Sequence, residues 1–582
     1  MNKERLTNYD KAKAKADEID EKIIKTLQLG KSFIVEAGAG SGKTYSLNKV
    51  IEWIQDNRGN YYKKRRQTVI CITYTNAAVE VLLSRLKDTS FIMPSTIHSF
   101  AWNAIKQFQN HLIEVVKNNE IYYPKEGDVS KITKVEYTLG HRYIEGNTLF
   151  LFHDDVISLF AELLDNVKFR NIFFINYPLI LIDEYQDSFS VITDRFIKYF
   201  ISQGNGPQFG FFGDSWQTIY QSQKVCGNIY NENLVRIEKG SNFRSAPKIV
   251  EMLNFIRPEL PQVSAIDDFE GEVIVVTCND FIGERRTDRG FKGDLPQEEL
   301  KSRLDRLCAA AKSAYSLDEK DLKTLMLTHK VLAAQQGYDK LFKILGDKLK
   351  DKEDPLLIFL MDKVEPIMLA MRESKMSLLF EVLGVKHYPI TKKSQKKQWK
   401  ALLNDYESNK DKSVRDIIKI IIESGLIPVP SQVENLYDNY LNNPQKEYGA
   451  ATVKDYLDIE YKQFISAITF LNPEAEFSTD HGVKGEEYDT VIFSITGGWA
   501  NYQFDIYAPM IDGIVPEDKQ SAYIRNRNLF YVCCSRPKRR LLIFVSLLVH
   551  EKFKDFLKKL SGEENYYNYQ QYIEYIQNIA VS

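Results

Sequence analysis

The stretch Phe33-Ile-Val-Glu-Ala-Gly-Ala-Gly-Ser-Gly-Lys-Thr44 constrains this chain more than any other. Its first residues predict a buried strand, and the pattern after Lys43, with Leu47 and Val50, predicts a helix. Between them, Gly38, Gly40 and Gly42 flank Ala39 and Ser41, so the backbone can curl tightly and aim its N–H groups at one point. That point is also a helix N-terminus, where the dipole favours anions. Lys43 adds a mobile positive charge for the β- and γ-phosphates, and Thr44 a hydroxyl for Mg²⁺. The order strand, loop, helix fits the phosphate-loop pattern G-x-x-x-x-G-K-[ST], with Ala37 in place of the first glycine. The stretch therefore reads as an ATP or GTP site.

The totals bound what surrounds it. A chain of 582 residues is too long for one core, and about three to five structural units are expected. No apolar run reaches the roughly 20 residues of a membrane span, and the start, Met1-Asn-Lys-Glu-Arg, lacks a secretory pattern. The six cysteines are scattered without a C-x-x-C pair, which points to reduced thiols and a cytoplasmic protein. The formal net charge of −2 gives no bulk argument for nucleic acid, so any basic groove must be local.

Taken in order, residues 3 to 28 predict a helix with Ile19, Ile23, Ile24 and Leu27 on one face. The run Lys63-Lys-Arg-Arg66 reads as solvated residues leading into a strand, or as a phosphate contact. Thr68 to Thr75 is a second buried strand, followed by a helix through Val81. Residues 101–172 are helix-rich by periodicity. Tyr177 to Ile182 is a third strand and runs directly into Asp183-Glu-Tyr-Gln-Asp187. An apolar strand ending in Asp-Glu complements a phosphate loop: Asp183 to hold Mg²⁺, Glu184 to polarise the attacking water. Phe209 to Gly213 is a fourth strand, with Gln217 close behind. A second set of strands begins at Gly271 and at Leu325 and resumes at Asp489 and Leu541. Residues 345–474 are mostly helical and rich in lysine.

Together these blocks resemble, in order and spacing, the motifs of superfamily 1 helicases of the UvrD/Rep-like branch. The loop Ala37-Gly-Ala-Gly-Ser-Gly-Lys-Thr44 is similar to that branch's variant. Ile72 to Ala78 is similar to motif Ia, Ser95 to Phe100 to Ib, and Asp183 to Asp187 to the D-E-x-Q-D box. Gly213 to Tyr220 resembles motif III, Asn242 to Ser245 motif IV, Thr479 to Tyr488 motif V, and Arg527 to Arg536 motif VI.

The resemblance implies an α/β fold: two RecA-like P-loop domains with mostly helical inserted subdomains, 1A, 1B, 2A and 2B. Domain 1A would comprise residues 1–100 and 173–255, interrupted by 1B at 101–172. Domain 2A would comprise 256–344 and 475–550, interrupted by a reduced 2B at 345–474, with a helical tail at 551–582. ATP and Mg²⁺ would lie in the cleft, held by the phosphate loop, Thr44 and Asp183. Glu184 would act as the base and Gln217 would sense the γ-phosphate. Arg244 and Arg536 would reach that phosphate from the second domain, as permanently charged forks. Glu487 would contact the ribose, and Tyr531 would pack near Arg536. A single strand of DNA would cross both domains on Tyr74, Thr75, Asn76, His98 and His481, the rings of Tyr74, His98 and His481 stacking on any base.

The chain departs from that branch in several places. The glutamine that reads adenine has no clear counterpart: Asp20 sits near its place, and Gln28 lies too close to the loop. After Tyr220, where relatives put a DNA-stacking aromatic, stand Gln221, Ser222 and Gln223, and Trp216 lies before the motif's glutamine. Pro537 follows Arg536. Lys392, Lys393, Lys396, Lys397 and Lys400 make either a duplex contact in 2B or a solvated helix face. Gln571 to Tyr575 matches a nuclease pattern, but the tail is too short for a nuclease domain and reads as a docking helix.

Two functions follow. One is an ATP-dependent translocase or helicase of 3′–5′ polarity acting on single-stranded DNA or on 3′-tailed or end-containing duplex. The other is a DNA-sensing ATPase that regulates a partner nuclease, as the resemblance to the helicase subunit of Gabija-like anti-phage systems implies, the partner being of OLD type.

Overall fold

The structure, a computed structural model, describes residues 6–124, 127–138, 142–218, 225–318, 320–326, 333, 336–350, 352–384, 392–471, 477–479, 486–498 and 502–581. His481 and positions 219–224, which include Tyr220 and Gln221 to Gln223, lie outside them.

Two six-stranded sheets organise the chain, and every strand pairing in them is parallel. The first contains β1 (Phe33–Ala37), β2 (Val69–Thr73), β3 (Ile92–Thr96), β7 (Leu179–Asp183), β8 (Gln208–Gly213) and β9 (Val235–Lys239), in the order β3-β2-β7-β8-β1-β9. Successive residues of a strand face opposite sides, and both faces here are covered. Ile34, Ile70 and Ile180 enter one core, while Phe33, Val35 and Val69 enter the other. That two-sided burial is why these strands read as unbroken apolar runs. Helix α1 (Asn8–Gln28) and helix α2 (Lys43–Arg65) pack on the second core through Ile23, Leu27, Leu47 and Val50. Sequence reading had no signal for β9, which pairs with β1 along Phe33 to Ala37.

Between β3 and β7 the chain is less helical than its periodicity suggests. It contains the small sheet of β4 (Lys134–Tyr137), β5 (Tyr143–Glu145) and β6 (Thr148–Leu151). Val135, Leu149 and Leu151 from this sheet share one core with Phe100, Phe160, Phe173 and the first large sheet. The expected helical unit at 101–172 thus has mixed structure and no core of its own. The run Lys63 to Arg65 is the last turn of α2 rather than a lead-in to β2. Arg66 ends that helix at φ +55°, and its N–H bonds back to the Lys63 carbonyl.

Strands β10 (Ser241–Asn242) and β11 (Val263–Ser264) form a short bridge between the sheets, and the helix Pro247–Ile256 connects them. That helix buries Ile249, Met252, Leu253 and Ile256 in the second lobe's core, so the expected domain boundary at 255 falls at its end.

The second sheet runs β16-β13-β17-β18-β12-β19, from β12 (Glu272–Thr277), β13 (Leu322–Met326), β16 (Phe477–Thr479), β17 (Tyr488–Ile495), β18 (Pro537–Val545) and β19 (Tyr566–Asn568). Val273, Val275, Leu541 and Ile543 face one core, and Ile274, Val276, Leu542 and Phe544 the other. Between β13 and β16 lies a helical body with its own core, including Leu356, Trp399, Ile417, Tyr456 and Phe464, and a hairpin of β14 (Glu447–Tyr448) and β15 (Ala451–Thr452). The tail docks on the second sheet: β19 extends its edge, and Tyr572, Ile573 and Ile576 of the last helix are buried.

Candidate nucleotide cleft

The phosphate loop sits at the carboxyl end of β1. Gly40 adopts φ +71°, and a Cβ there would stand 2.7 Å from Asn242 Oδ1. At Gly38 a Cβ would stand 2.4 Å from Gln262 Nε2. Both positions need glycine because the bridge between the lobes presses on the loop. Asn242 Nδ2 and Gln262 Nε2 donate to the Ala39 carbonyl at 3.1 and 2.9 Å. Ser41 is buried, and Gly42 caps α2 at φ +77°.

Lys43 starts α2 with its ammonium 3.2 Å from Glu184. Burial pulls the Lys43 ammonium down, but Glu184, Asp214 and Asp183 together hold it above its ordinary value. Asp183 ends β7, and burial, then the Glu184 charge, push its carboxyl up to about 7. The Lys43 charge offsets only part of that rise. With the exposed Thr44 hydroxyl, Asp183 offers hard oxygen donors, which fit Mg²⁺. Glu184 occupies φ +49°, a costly region for a side chain with a Cβ, and accepts a hydrogen bond from Gln186 at 2.5 Å. The turn aims Glu184 at Lys43 rather than along the strand.

Gln217 follows β8 in a short helical turn. Its amide donates to Asp214 at 2.8 Å and accepts from Arg536 at 3.4 Å. Arg536 is almost fully buried, and its guanidinium also donates to the carbonyls of Val532 and Glu486. Burial, then the Arg244 charge, pull it down to about 9, so it stays charged at neutral pH. Arg244 donates to Glu487 at 3.0 Å and to the Ser535 carbonyl at 3.0 Å. Glu487 is also paired with Lys538 at 2.8 Å. Tyr531, whose charge field reaches Arg536, also extends across the cleft: its hydroxyl accepts from the Ala39 N–H at 3.1 Å. The expected cleft residues outside the strand path thus converge, from both lobes, on the phosphate loop and its neighbours.

The strand-path residues are more dispersed. Tyr74 is exposed after β2. Thr75 caps helix α3 (Asn76–Arg85), accepting from the Ala78 N–H, and Asn76 is exposed on its first turn. His98 does not present an open ring: it stacks on His153 with centroids 3.4 Å apart, and Phe189 meets it edge-on. His153 in turn bonds the Tyr137 hydroxyl at 2.5 Å.

Asp20 stands away from any base-reading role. It is buried beneath α2, bonded to Ser46 at 2.5 Å and paired with Lys239 at 3.1 Å and Lys49 at 3.0 Å. Gln28 is exposed.

Residues 20–223 match the family model of the AAA domain. That match, with the phosphate loop at the end of β1, supports nucleotide binding at this site. The chain is also 22% identical to Gabija protein GajB of Bacillus cereus (strain HuB5-5), with 93% of this chain and 96% of that protein covered. The resemblance to UvrD/Rep-like helicases and to a Gabija helicase subunit holds on these two matches. Among the described residues, no helix is long and apolar enough to cross a membrane, and no cluster of three or more His, Cys, Asp or Glu could hold a metal ion.

Sequence reading missed a buried network beside this cleft. Glu36, in the middle of an apolar strand, is paired with Arg257 at 2.6 Å and accepts from the Tyr185 hydroxyl at 2.6 Å. A lone charge inside Phe-Ile-Val-Glu-Ala was the signal, since a buried carboxylate needs a partner. Nothing local marks Arg257 as that partner.

Proposed function

We propose that this protein is an ATP-driven motor on single-stranded DNA, moving 3′ to 5′ and hydrolysing ATP with Mg²⁺ between two RecA-like domains. The observation that carries this reading is the contact chain Lys43–Glu184 on one lobe and Gln217–Arg536 across the cleft. The first sheet with its inserted segment corresponds in this reading to 1A and 1B, and the second sheet with its helical body to 2A and 2B.

The phosphate loop and Lys43 bind the β- and γ-phosphates, and Glu184 takes the proton of the attacking water. Thr44 and Asp183 would hold Mg²⁺, which would supply positive charge against the phosphate oxygens. Arg244 exchanges Glu487 for the γ-phosphate when the cleft closes, and Arg536 joins it. Gln217 lies between the γ-phosphate and Arg536, so cleavage and cleft opening are linked through one amide. Exposed Tyr74 offers a stacking face to a base.

A second reading is favoured by the similarity to Gabija protein GajB. In it, ATP turnover reports DNA to a partner nuclease of OLD type in anti-phage defence, and the protein itself unwinds little.

ATP hydrolysis with and without single-stranded DNA, with Lys43→Ala and Arg536→Ala as controls, tests the motor. Stimulation abolished by both changes supports it, and turnover indifferent to DNA overturns it. Strand displacement by the protein alone, then with a nuclease partner, separates the two readings.

A further inference from the structure

Arg257 is a buried cation with two buried carboxylate partners on different elements, and the exposed Glu259 lies 3.6 Å away. One terminal nitrogen donates to Asp214 Oδ1 at 2.6 Å and the other to Glu36 Oε1 at 2.6 Å. Its guanidinium carbon also lies 5.1 Å from the centre of the Trp216 ring and 5.6 Å from that of Tyr531. Burial pulls its pKa down, but Asp214, Tyr531 and Glu36 more than offset that, so it stays charged.

Each partner leads to the cleft. Glu36 lies on β1 beside Ala37, where the phosphate loop begins. The other oxygen of Asp214 holds the Gln217 amide at 2.8 Å. Tyr531 bonds the loop itself through the Ala39 N–H. Arg257 also ends the helix Pro247–Ile256, whose other end follows Arg244 by two residues. Ten helical residues span about 15 Å, and this helix is clamped by the second core, so it moves as a rod.

We propose that Arg257 is a positioning residue that ties the movement of Arg244 to the placement of Gln217. The inference rests on the nucleotide-cleft reading above. A shift of Arg244 onto phosphate displaces the helix, and Arg257 passes that displacement to Asp214 and to β1 together. Only a forked guanidinium can hold both carboxylates at once, since a lysine ammonium is a point charge.

The test is Arg257→Lys, which keeps the buried positive charge and removes the fork. The expected result is a nucleotide affinity within about threefold of wild type with turnover at saturating ATP lower by on the order of 10²-fold. A variant that turns over like wild type overturns the proposal, as does one whose affinity falls in step with its turnover. Hydrogen exchange supplies a second readout that does not depend on activity. In the wild type, a non-hydrolysable ATP analogue should protect residues 36–44 and 214–218 together. In Arg257→Lys the first protection should remain and the second should vanish; separate protection in the wild type overturns the coupling. Should Arg257→Lys not fold, Glu36→Gln is measured in its place with the same two outcomes. DNA stimulation of the wild type is measured alongside: its absence counts against the motor reading, while the split between affinity and turnover still decides the role of Arg257.

Discussion

Lys43 Nζ stands 3.2 Å from one carboxylate oxygen of Glu184 and 3.3 Å from the other. The cation expected to meet phosphate is thus paired with the group proposed to activate water. In the proposed cycle an incoming phosphate displaces that carboxylate from Lys43, while Glu184 keeps its hydrogen bond from Gln186. Glu184→Gln should therefore bind nucleotide more tightly than wild type while losing about 10²- to 10⁴-fold in turnover. Titration with a fluorescent ATP analogue, set against steady-state hydrolysis, checks both signs; weaker binding would remove Glu184 from this role.

Arg244 and Arg536 differ in surroundings. Arg244 pairs with the half-exposed Glu487, whereas Arg536 is packed among backbone carbonyls. Arg244→Ala should lower turnover by on the order of 10³-fold with little change in melting temperature. Arg536→Ala should lose as much turnover and also melt earlier, because it strips donors from buried carbonyls. Calorimetry alongside hydrolysis separates the two; equal melting would contradict the burial.

His98 is held down to about 4 from an ordinary 6.5, first by burial and then by His153, with Asp154 opposing. Tyr137 and Phe189 face the pair from neighbouring elements and carry no charge to relieve it. Its folded pKa lies below its unfolded one, so protonation opposes folding. That contribution to stability is full above about pH 6.5 and is lost as the pH falls toward about 4. A carbon-detected NMR titration should find one histidine titrating near the lower value, and His153→Gln should move it upward.

Lys393, Lys396, Lys397 and Lys400 are exposed on the helix Lys393–Asn409, opposite Trp399, Leu402 and Tyr406, and none forms an ion pair among the described residues. Their spacing puts them on one side of the helix, where like charges repel. If they contact duplex phosphates, changing all four to glutamine should flatten the salt dependence of duplex binding by about 0.9 per lost contact in log–log slope. Fluorescence anisotropy across a salt series reads this directly, and an unchanged slope would leave the stripe a solvated face.

The phosphate loop, the Asp183-Glu184 step and the strands around them were legible in the sequence because each is local. A tight turn needs glycine, and a strand buried on both faces needs an apolar run. Helix α1 and a docking tail were legible for the same reason, although the tail also carries the edge strand β19. Longer-range facts left weaker traces. The alternation Lys-Val-Glu-Tyr in β4 was too short to outweigh helical periodicity in 101–172, and only its shared core with Phe100 and Phe160 decides its place.

The sequence by itself marked a nucleotide-binding loop and parallel α/β layers, since loop chemistry and two-sided burial are written in adjacent residues. Only the tertiary structure decided which charges meet. Glu36 and Arg257 are 221 positions apart, Ala39 and Tyr531 492. No periodicity connects them, and they pair because folding excludes water from both and brings their partners within reach.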